Sequence, residues 1–366
     1  MLRPGQPAPW FITGSPVNPE FAFGSLGGYF LLLLFLPEDV EARARALDQL
    51  RATTQLRAQK NIPAFAVARD DATIATAKDE PGLQWFFDPD GSVSRRYHAL
   101  SAEGVPNPHW VLIDPSMRIY AVAGIDQTDA LMTVVARLPK PDDHAGVPLH
   151  APVLIVPRVF EPDMCRQLIG FYEGHGGEPS GVMREIAGKT VPVMDSTKRR
   201  RDAVIEDESL KALVRHKLQT RLLPEIKKTF QFEASRIERY MVACYDSEGG
   251  GFFKPHRDNT TAGTAHRRFA CSINLNTEGH VGGELRFPEF GSKTYRPPTG
   301  GAVIFSCSLL HEATPVTQGR RYCFLPFFYD EAGARIRATY LNTLKADSAT
   351  AGTTPAVQGE AESERA

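Results

Sequence analysis

The sequence predicts two domains of different class, an α/β sandwich followed by an all-β jelly roll with flanking helices. The chain has 366 residues, more than one ordinary domain of about 150 residues needs. Its first half alternates apolar runs with helical segments, which is typical of a central sheet covered by helices. Residues 237–329 instead show short strands separated by glycine and proline turns, the pattern of sandwiches and jelly rolls.

The first domain opens with a strand at residues 29–36, which is apolar throughout and so fits a strand buried on both faces. Residues 38–59 follow as a helix, because Val40, Leu47, Leu50 and Leu56 are spaced for one face. The remaining predicted strands are residues 64–68, 83–87, 110–113 and 118–123, the last two as a hairpin, and the remaining predicted helices are residues 72–77 and 127–138.

The domain boundaries follow from composition. Residues 139–152 contain four prolines and no periodicity, so we predict a linker between a first domain at 1–138 and a second domain at 153–345. The second domain begins with helices at 163–173 and 209–230. Residues 346–366 have almost no large apolar side chain and are predicted to be a disordered tail.

Composition excludes several classes of function. The net charge is −1, which disfavours binding to nucleic acid or to a membrane surface through positive charge. The five cysteines begin only at Cys165 and form no CxxC pair, so neither a disulfide framework nor a cysteine zinc site is predicted. The longest apolar run is far shorter than the about 20 residues of a membrane span. No apolar signal region opens the chain, and we expect a cytoplasmic protein with reduced thiols.

A metal site is predicted at His256, Asp258 and His311. Residues i and i+2 of a strand point to the same side, so His256 and Asp258 converge while Arg257 points away. His311 follows a later apolar strand, residues 301–306, and supplies a third ligand. Two histidines and one carboxylate leave open coordination positions, the arrangement that suits non-haem Fe(II) and oxygen chemistry.

Arg321 is predicted to bind an anion, because it begins an otherwise apolar strand. A guanidinium binds a carboxylate through two parallel hydrogen bonds. The distal carboxylate of 2-oxoglutarate is the natural candidate, since its other end chelates iron.

Other polar residues are given simpler roles. His109, His266 and His280 are predicted to lie at the surface or in turns. Residues 198–202, KRRRD, are interpreted as a solvated charge run, and the alternative is a mobile loop beside the active-site mouth that recognises an acidic substrate.

The second half of the chain closely resembles the Fe(II)- and 2-oxoglutarate-dependent prolyl hydroxylases, including the hypoxia-inducible-factor type. The resemblance covers roughly residues 153–330 and rests on MVACY (241–245), GF (251–252), HRDN (256–259), GGEL (282–285), FP (287–288), HE (311–312) and GRRY (319–322). It implies a double-stranded β-helix that carries Fe(II). It also implies that Tyr245 lies beside 2-oxoglutarate with its hydroxyl as a donor, whereas a barrel-packing aromatic is the simpler role.

The chain departs from these hydroxylases at three points. Asn274 stands where the hypoxia-type enzymes have a tyrosine near the distal carboxylate, and Phe327 stands where they have a tryptophan. Tyr245 is also one residue further from the first histidine. These departures concern the identity of the substrate more than the reaction. Protein prolines, free amino acids and small molecules therefore all remain candidate substrates.

The implied activity is hydroxylation of a substrate C–H bond with release of succinate and CO2. Fe(II), O2 and 2-oxoglutarate are the expected cofactor and co-substrates, and ascorbate is a further candidate. The alternative is a non-catalytic scaffold protein built from two degenerate domains. The complete set of His256, Asp258, His311 and Arg321 favours the enzyme.

The first half resembles the peroxiredoxins, a thioredoxin-like family, over residues 4–138. The resemblance rests on PGQPAPWF (4–11), LGGY (26–29), FLP (35–37), FDPDG (87–91) and WVLID (110–114). Counting from Pro37 along the family's Pro-x-x-x-Thr/Ser-x-x-Cys pattern gives Glu41 and Ala44, and this domain has no cysteine. Thiol peroxidase activity is therefore excluded, and partner binding, dimerisation or substrate presentation are the roles that remain.

Overall fold

The protein is described here by a computed structural model that covers residues 2–351 and 364–365. The chain divides into two compact units. The first contains Met1–Ala151 together with Phe287–Lys293, and the second contains Pro152–Arg286 and Thr294–Ala366. Residues 139–151, which we predict to be a linker, are thus part of the first unit. Its short 3-10 helix Pro141–Asp143 lies in this segment.

The first unit is an α/β sandwich of the thioredoxin-like type, as predicted. In its five-stranded sheet the strand order is β5-β4-β3-β6-β7; β3, β4 and β5 are parallel, and β6 and β7 are antiparallel to their neighbours. The elements of this unit are β1 (Ile12–Thr13), β2 (Phe21–Ala22), β3 (Leu31–Phe35), α1 (Val40–Ala52), α2 (Thr54–Lys60), β4 (Ala64–Ala68), α3 (Asp71–Thr76), β5 (Gln84–Phe87), α4 (Ser92–Arg96), β6 (His109–Ile113), β7 (Ile119–Gly124) and α5 (Thr128–Arg137).

Strand β3 is buried on both faces, as its apolar run predicts. Leu31, Leu33 and Phe35 pack into the core on one side of the sheet, and Leu32 and Leu34 pack into the core on the other. This alternation follows from the two-residue period of a strand.

The single helix predicted at 38–59 is in fact two helices, α1 and α2, which meet at Thr53. The Thr53 hydroxyl donates to the carbonyl of Leu50 over 2.7 Å. A threonine side chain that bonds the preceding turn offers the backbone an alternative to the helical pattern, which accounts for the break.

The second unit contains a double-stranded β-helix with flanking helices. Its elements are β8 (Leu154–Val156), α6 (Pro162–His175), β9 (Glu178–Pro179), β10 (Val182–Ile186), β11 (Lys189–Val193), β12 (Lys198–Arg199), β13 (Arg201–Val204), α7 (Glu208–Arg221), α8 (Leu223–Phe230), β14 (Arg236–Glu238), β15 (Met241–Asp246), β16 (Phe252–His256), β17 (Phe269–Asn274), β18 (His280–Gly282), β19 (Leu285–Arg286), β20 (Thr294–Tyr295), β21 (Ala302–Ser306), β22 (His311–Ala313), β23 (Val316–Phe324), β24 (Phe327–Tyr329), α9 (Glu331–Ala351) and β25 (Glu364–Arg365).

The helix predicted at 209–230 is also two helices, α7 and α8. Pro224 lies at the start of α8. A proline has no backbone N–H to donate to the preceding turn, and its ring clashes with the carbonyl four residues earlier. The helix therefore ends before it and restarts.

Two sheets form the barrel of the second unit. The smaller sheet has the order β12-β16-β22-β19-β20, and the larger sheet runs through β14-β24-β17-β23-β15-β13. Tyr245 and Cys323 of the larger sheet pack with Ala313 and Phe253 of the smaller one. Helices α6, α7 and α8 cover the other face of the larger sheet, where Leu168, Val214 and Ile226 share a core with its strands.

All five cysteines are buried free thiols. Most of the predicted disordered tail, residues 346–366, lies outside the described residues, but residues 346–351 form the end of α9. Among the described residues, none of the helices combines the length and the apolar character that a membrane span requires.

Candidate active site

The structure brings the three predicted metal ligands together. The ligand atoms of His256, Asp258 and His311 all lie within 4.8 Å of one another. His256 is the last residue of β16 and His311 the first of β22, and these two residues are paired directly across the ladder. Asp258 lies just beyond the end of β16, where its N–H donates to the carbonyl of Cys307. Pairing of two strand ends therefore builds the site.

Hydrogen bonds orient both imidazoles. Nδ1 of His256 is 2.8 Å from the carbonyl of Lys254, and Nδ1 of His311 is 3.0 Å from that of Leu309. Because a carbonyl only accepts, Nδ1 of each ring carries a proton, and in the neutral imidazole Nε2 keeps its lone pair. Metal-bound histidines commonly have such a bond on the second nitrogen.

The charges at the site favour a metal. Burial lowers the pKa of His256 to about 3, with the neighbouring His311 adding to the effect, so its imidazole is neutral. Burial opposes ionisation of Asp258, but His311, His256 and Arg267 outweigh it and hold the pKa of Asp258 below its usual value. Neutral imidazoles and an ionised carboxylate are the forms that bind a metal.

The spacing of the ligand atoms also fits a metal ion. Nε2 of His256 is 3.6 Å from Oδ1 of Asp258, and Nε2 of His311 is 3.3 Å from Oδ2 of the same carboxylate. Metal–ligand bonds of about 2 Å place neighbouring ligands about 3 Å apart. The residues present therefore fit an Fe(II) ion held by two histidines and one carboxylate.

Phe253 supports the first histidine. Its ring is stacked on that of His256, with ring centroids 3.4 Å apart and an interplanar angle of 18°. The stacked ring restricts rotation of the imidazole from one side.

Arg321 lies in a buried polar pocket. It is 2% exposed, and its Nη2 donates to Ser272 Oγ over 2.7 Å and to Asn274 Oδ1 over 3.2 Å. Its Nε is buried without a hydrogen-bond partner. A buried guanidinium with a spare donor and neutral neighbours is suited to an anionic ligand, since an unmet buried charge is costly.

Tyr245 lies beside this pocket. It pairs with Arg321 across β15 and β23, and the guanidinium carbon of Arg321 is 5.3 Å from its ring centroid. The Arg200 guanidinium lies 5.9 Å from the same ring. Burial raises the pKa of Tyr245 although both arginines oppose the shift. The hydroxyl is therefore protonated and able to donate.

Sequence reasoning missed a buried ionic network behind the metal ligands. Glu238 Oε1 accepts from Arg267 Nη2 over 2.6 Å. Glu238 Oε2 accepts from Arg267 Nε over 3.1 Å and lies 2.7 Å from His266 Nε2. Arg267 also donates to the carbonyl of Asp258 over 3.3 Å. The network thus anchors the backbone of a predicted ligand, and no local pattern in the sequence indicates it.

The interpretation of residues 198–202 as a solvated charge run is wrong for three of its five residues. Strands β12 and β13 carry the segment, so its side chains alternate. Lys198 is 7% exposed, and the side chains of Arg200 and Asp202 are 5% and 13% exposed, whereas Arg199 and Arg201 face outward. The i, i+2 pattern of a strand was the available signal.

The prediction of a surface position for three other histidines is wrong as well, although His266 does lie in a turn. His109, His266 and His280 are all buried. His109 packs on Phe35, and His266 bonds Glu238. His280 lies 2.9 Å through Nδ1 from the carbonyl of Gly282. Each has a polar partner inside the fold, which single-sequence patterns do not reveal.

Comparison with known proteins decides the class of this segment. Residues 240–329 match the model of the 2OG-Fe(II) oxygenase superfamily. The second unit carries a 2OG-Fe(II) oxygenase domain. The match contains the HRD motif, His311 and Arg321, so the resemblance predicted for this half is confirmed.

A curated relative is a "PKHD-type hydroxylase" from Synechococcus sp. (strain JA-2-3B'a(2-13)), which is 27% identical over 30% of this chain and 53% of its own length. The chain thus spans about half the length of the first curated relatives it matches. A solved prolyl-4-hydroxylase from Pseudomonas putida is 20% identical and covers 52% of this chain and 96% of its own, with a TM-score of 0.39.

The first unit is similar to a solved putative thiol:disulfide interchange protein DsbE from Chlorobium tepidum. That structure is 19% identical and covers 36% of this chain and 95% of its own, with a TM-score of 0.31. The thioredoxin-like assignment rests on the strand order and helix placement described above.

Proposed function

We propose that the oxygenase domain is an Fe(II)- and 2-oxoglutarate-dependent dioxygenase that hydroxylates a C–H bond, with release of succinate and CO2. The observation that carries this proposal is the convergence of His256, Asp258 and His311 to within 4.8 Å at paired strand ends. The domain is prolyl-hydroxylase-like, and its substrate is a protein, a peptide or a small molecule.

Each residue has a definite part in this proposal. His256, Asp258 and His311 hold Fe(II), which when bound supplies activation of O2 at its open coordination positions. Arg321 binds the distal carboxylate of 2-oxoglutarate through its guanidinium. Tyr245 donates its hydroxyl to the same co-substrate, and Ser272 and Asn274 fix the orientation of Arg321.

Phe327 and Phe253 exclude water from the site. Phe327 is 6% exposed, with the guanidinium groups of Arg267 and Arg239 lying 4.1 and 5.0 Å from its ring centroid. A dry, shaped site protects reactive chemistry from solvent. Ascorbate is part of the proposal as an accessory reductant.

For the first unit we propose a binding role, as a site for a partner or for dimerisation. Residues 1–151 contain no cysteine, so the thiolate chemistry of a peroxidase is excluded.

The test is succinate formation from 2-oxoglutarate by the purified full chain with Fe(II) and O2, with and without ascorbate. We expect slow succinate release from the wild type without added substrate. His256→Ala should lose both bound iron and succinate release, because two ligands hold iron weakly. Arg321→Ala should keep iron and require more 2-oxoglutarate. His216→Ala, an exposed change on α7, is the matched control.

Iron content and 2-oxoglutarate binding separate the enzyme from a scaffold protein. Both are measured on the anaerobic protein, by metal analysis and by calorimetry. A wild type that binds neither iron nor 2-oxoglutarate would contradict the proposal and favour the non-catalytic scaffold. Full turnover and normal iron content in His256→Ala would show that the ligands are misassigned.

A further inference from the structure

A second set of cations lies at the metal site, apart from Arg321. Lys198, Arg200 and Arg239 are the members of this group, which we name the rim cations. Lys198 and Arg200 share the inward face of β12 and β13, and Arg239 directly follows β14. The proposed function does not use them.

Lys198 has unused donor capacity at a buried position. Its Nζ donates to Ser180 Oγ over 2.6 Å and to the carbonyl of Gly181 over 2.8 Å. Only the charged ammonium has three donors, so one N–H is left for an anion when Lys198 is protonated, and the neutral amine has none left. Within the described part of the chain, Lys198 forms no ion pair with a carboxylate. Burial lowers the pKa of Lys198 to about 6, with Arg200 and Arg239 adding to the effect.

Lys198 lies next to the first metal ligand. Its Nζ is 5.0 Å from the ring centroid of Phe253, and that ring is stacked on His256. Lys198 also pairs with Phe253 across β12 and β16. Lys198 therefore lies near the aromatic ring that supports the first metal ligand.

Arg239 is the second cation with spare donors. Its nearest carboxylate oxygen, Glu238 Oε1, is 3.8 Å from its Nε, which is too far for a hydrogen bond. Both oxygens of Glu238 are already taken by Arg267 and His266. The Arg239 side chain is 23% exposed, so part of it reaches solvent.

Arg239 is also held in an uncommon backbone conformation. Its φ is +68°, in the left-handed region that ordinary residues rarely adopt. Its side chain lies over Phe327, with the guanidinium carbon 5.0 Å from the ring centroid. Arg200, in contrast, is already neutralised by Asp202 over 2.7 Å. Lys198 and Arg239 are thus the two rim cations left for a ligand.

We propose that Lys198 and Arg239 bind a carboxylate of the substrate beside the metal ligands. One ammonium N–H and one guanidinium fork match the two oxygens of a carboxylate. The substrate class is therefore anionic, either a free amino acid with its carboxylate or a peptide with an acidic residue or C-terminus next to the hydroxylated position. This inference rests on the proposed function in calling the bound molecule a substrate. The carboxylate site itself is a property of the fold and does not depend on that function.

Acetate and acetamide are the probes, because they have the same shape and differ in charge. The full chain, with lysines labelled at Cε with 13C, is loaded with Zn(II), which is diamagnetic, and with saturating 2-oxoglutarate to fill the Arg321 pocket. The Lys198 signal is assigned by its absence from Lys198→Gln. We expect acetate to shift this signal saturably toward the charged form and to bind about tenfold more tightly than acetamide.

Matched variants locate the effect. Arg239→Gln should reduce the preference for acetate over acetamide to about twofold or less, because the charged guanidinium and its paired donors are lost. Arg199→Gln, an outward-facing change next to Lys198, should leave it unchanged. A Lys198 signal that responds to acetate no more than to acetamide would overturn the proposal. So would a full response in Arg239→Gln.

The same samples separate this inference from the proposed function. Calorimetry gives the affinity for 2-oxoglutarate, and the acetate titration is repeated on the metal-free protein. If metal and 2-oxoglutarate bind and acetate does not, the anion site is wrong and the oxygenase stands. If acetate binds but the protein binds neither metal nor 2-oxoglutarate, the anion site stands and the oxygenase is wrong. Loss of 2-oxoglutarate binding in Arg239→Gln would assign the cation to the co-substrate instead, and so also overturn the inference.

Discussion

Arg321 Nη2 and Ser272 Oγ lie 2.7 Å apart within the buried interior of the oxygenase barrel. Ser272 accepts this hydrogen bond, so a neutral hydroxyl orients the guanidinium without neutralising its charge. Asn274, which replaces the tyrosine of the hypoxia-type enzymes, contacts the same Nη2 atom. Its amide group donates instead to Thr277 and to the carbonyl of Pro297.

Ser272→Ala should weaken binding of 2-oxoglutarate about tenfold, because one hydrogen bond to a charged group is lost. Calorimetry on the anaerobic Fe(II) protein measures the affinity. Ser235→Ala, whose hydroxyl contacts Glu331 at the surface, is the control and should bind normally. An unchanged affinity in Ser272→Ala with an unchanged melting temperature would show that Arg321 needs no hydroxyl beside it.

Phe253→Ala should lower the affinity for Fe(II) about tenfold, within the range seen when groups that orient metal ligands are removed. The stacked ring no longer restrains His256 in this variant. Competition with a coloured chelator measures the affinity. Phe252→Ala changes the adjacent residue, which faces the other way along β16, and should bind iron normally. Phe253→Leu keeps apolar bulk without the stacked ring, so a normal affinity there would contradict the stacking argument even if Phe253→Ala unfolds.

Glu238→Gln should destabilise the protein by about 3 kcal/mol, because it leaves the buried Arg267 charge without its carboxylate. Chemical denaturation followed by circular dichroism measures the loss. Glu331→Gln removes an exposed ion pair with Arg236 and should cost at most about 1 kcal/mol. Equal losses in the two variants would mean that the network contributes no more than a surface pair.

The same variant has a defined pH dependence. Burial opposes ionisation of Glu238, but Arg267 and His266 outweigh it and hold the pKa well below its usual value. A carboxyl whose folded pKa is depressed contributes stability above the unfolded pKa of about 4.3 and loses it as the pH falls toward the folded value. The difference between wild type and Glu238→Gln should therefore be constant from about pH 7 to pH 5 and shrink below about pH 4.

Local patterns were enough for much of the fold. The run at 29–36 predicted a strand buried on both faces, and Leu31–Phe35 is that strand. The helix at 38–59 was predicted without its break, because the bond from the Thr53 hydroxyl to Leu50 has no signature in the hydrophobic period. The short strands at 237–329 predicted a jelly roll but not which strands pair, since pairing is a long-range property.

By itself, the sequence determined the fold class of each half, the missing nucleophile of the first half and the set of residues able to hold a metal and a dicarboxylate. These follow from local periodicity and from short motifs. Only the tertiary structure decided that Lys198 is buried near the aromatic ring that is stacked on His256, and that His266, Arg267 and Glu238 form one buried network. The physical reason is that burial and charge pairing join residues distant in sequence, and strand pairing alone brings them to one place.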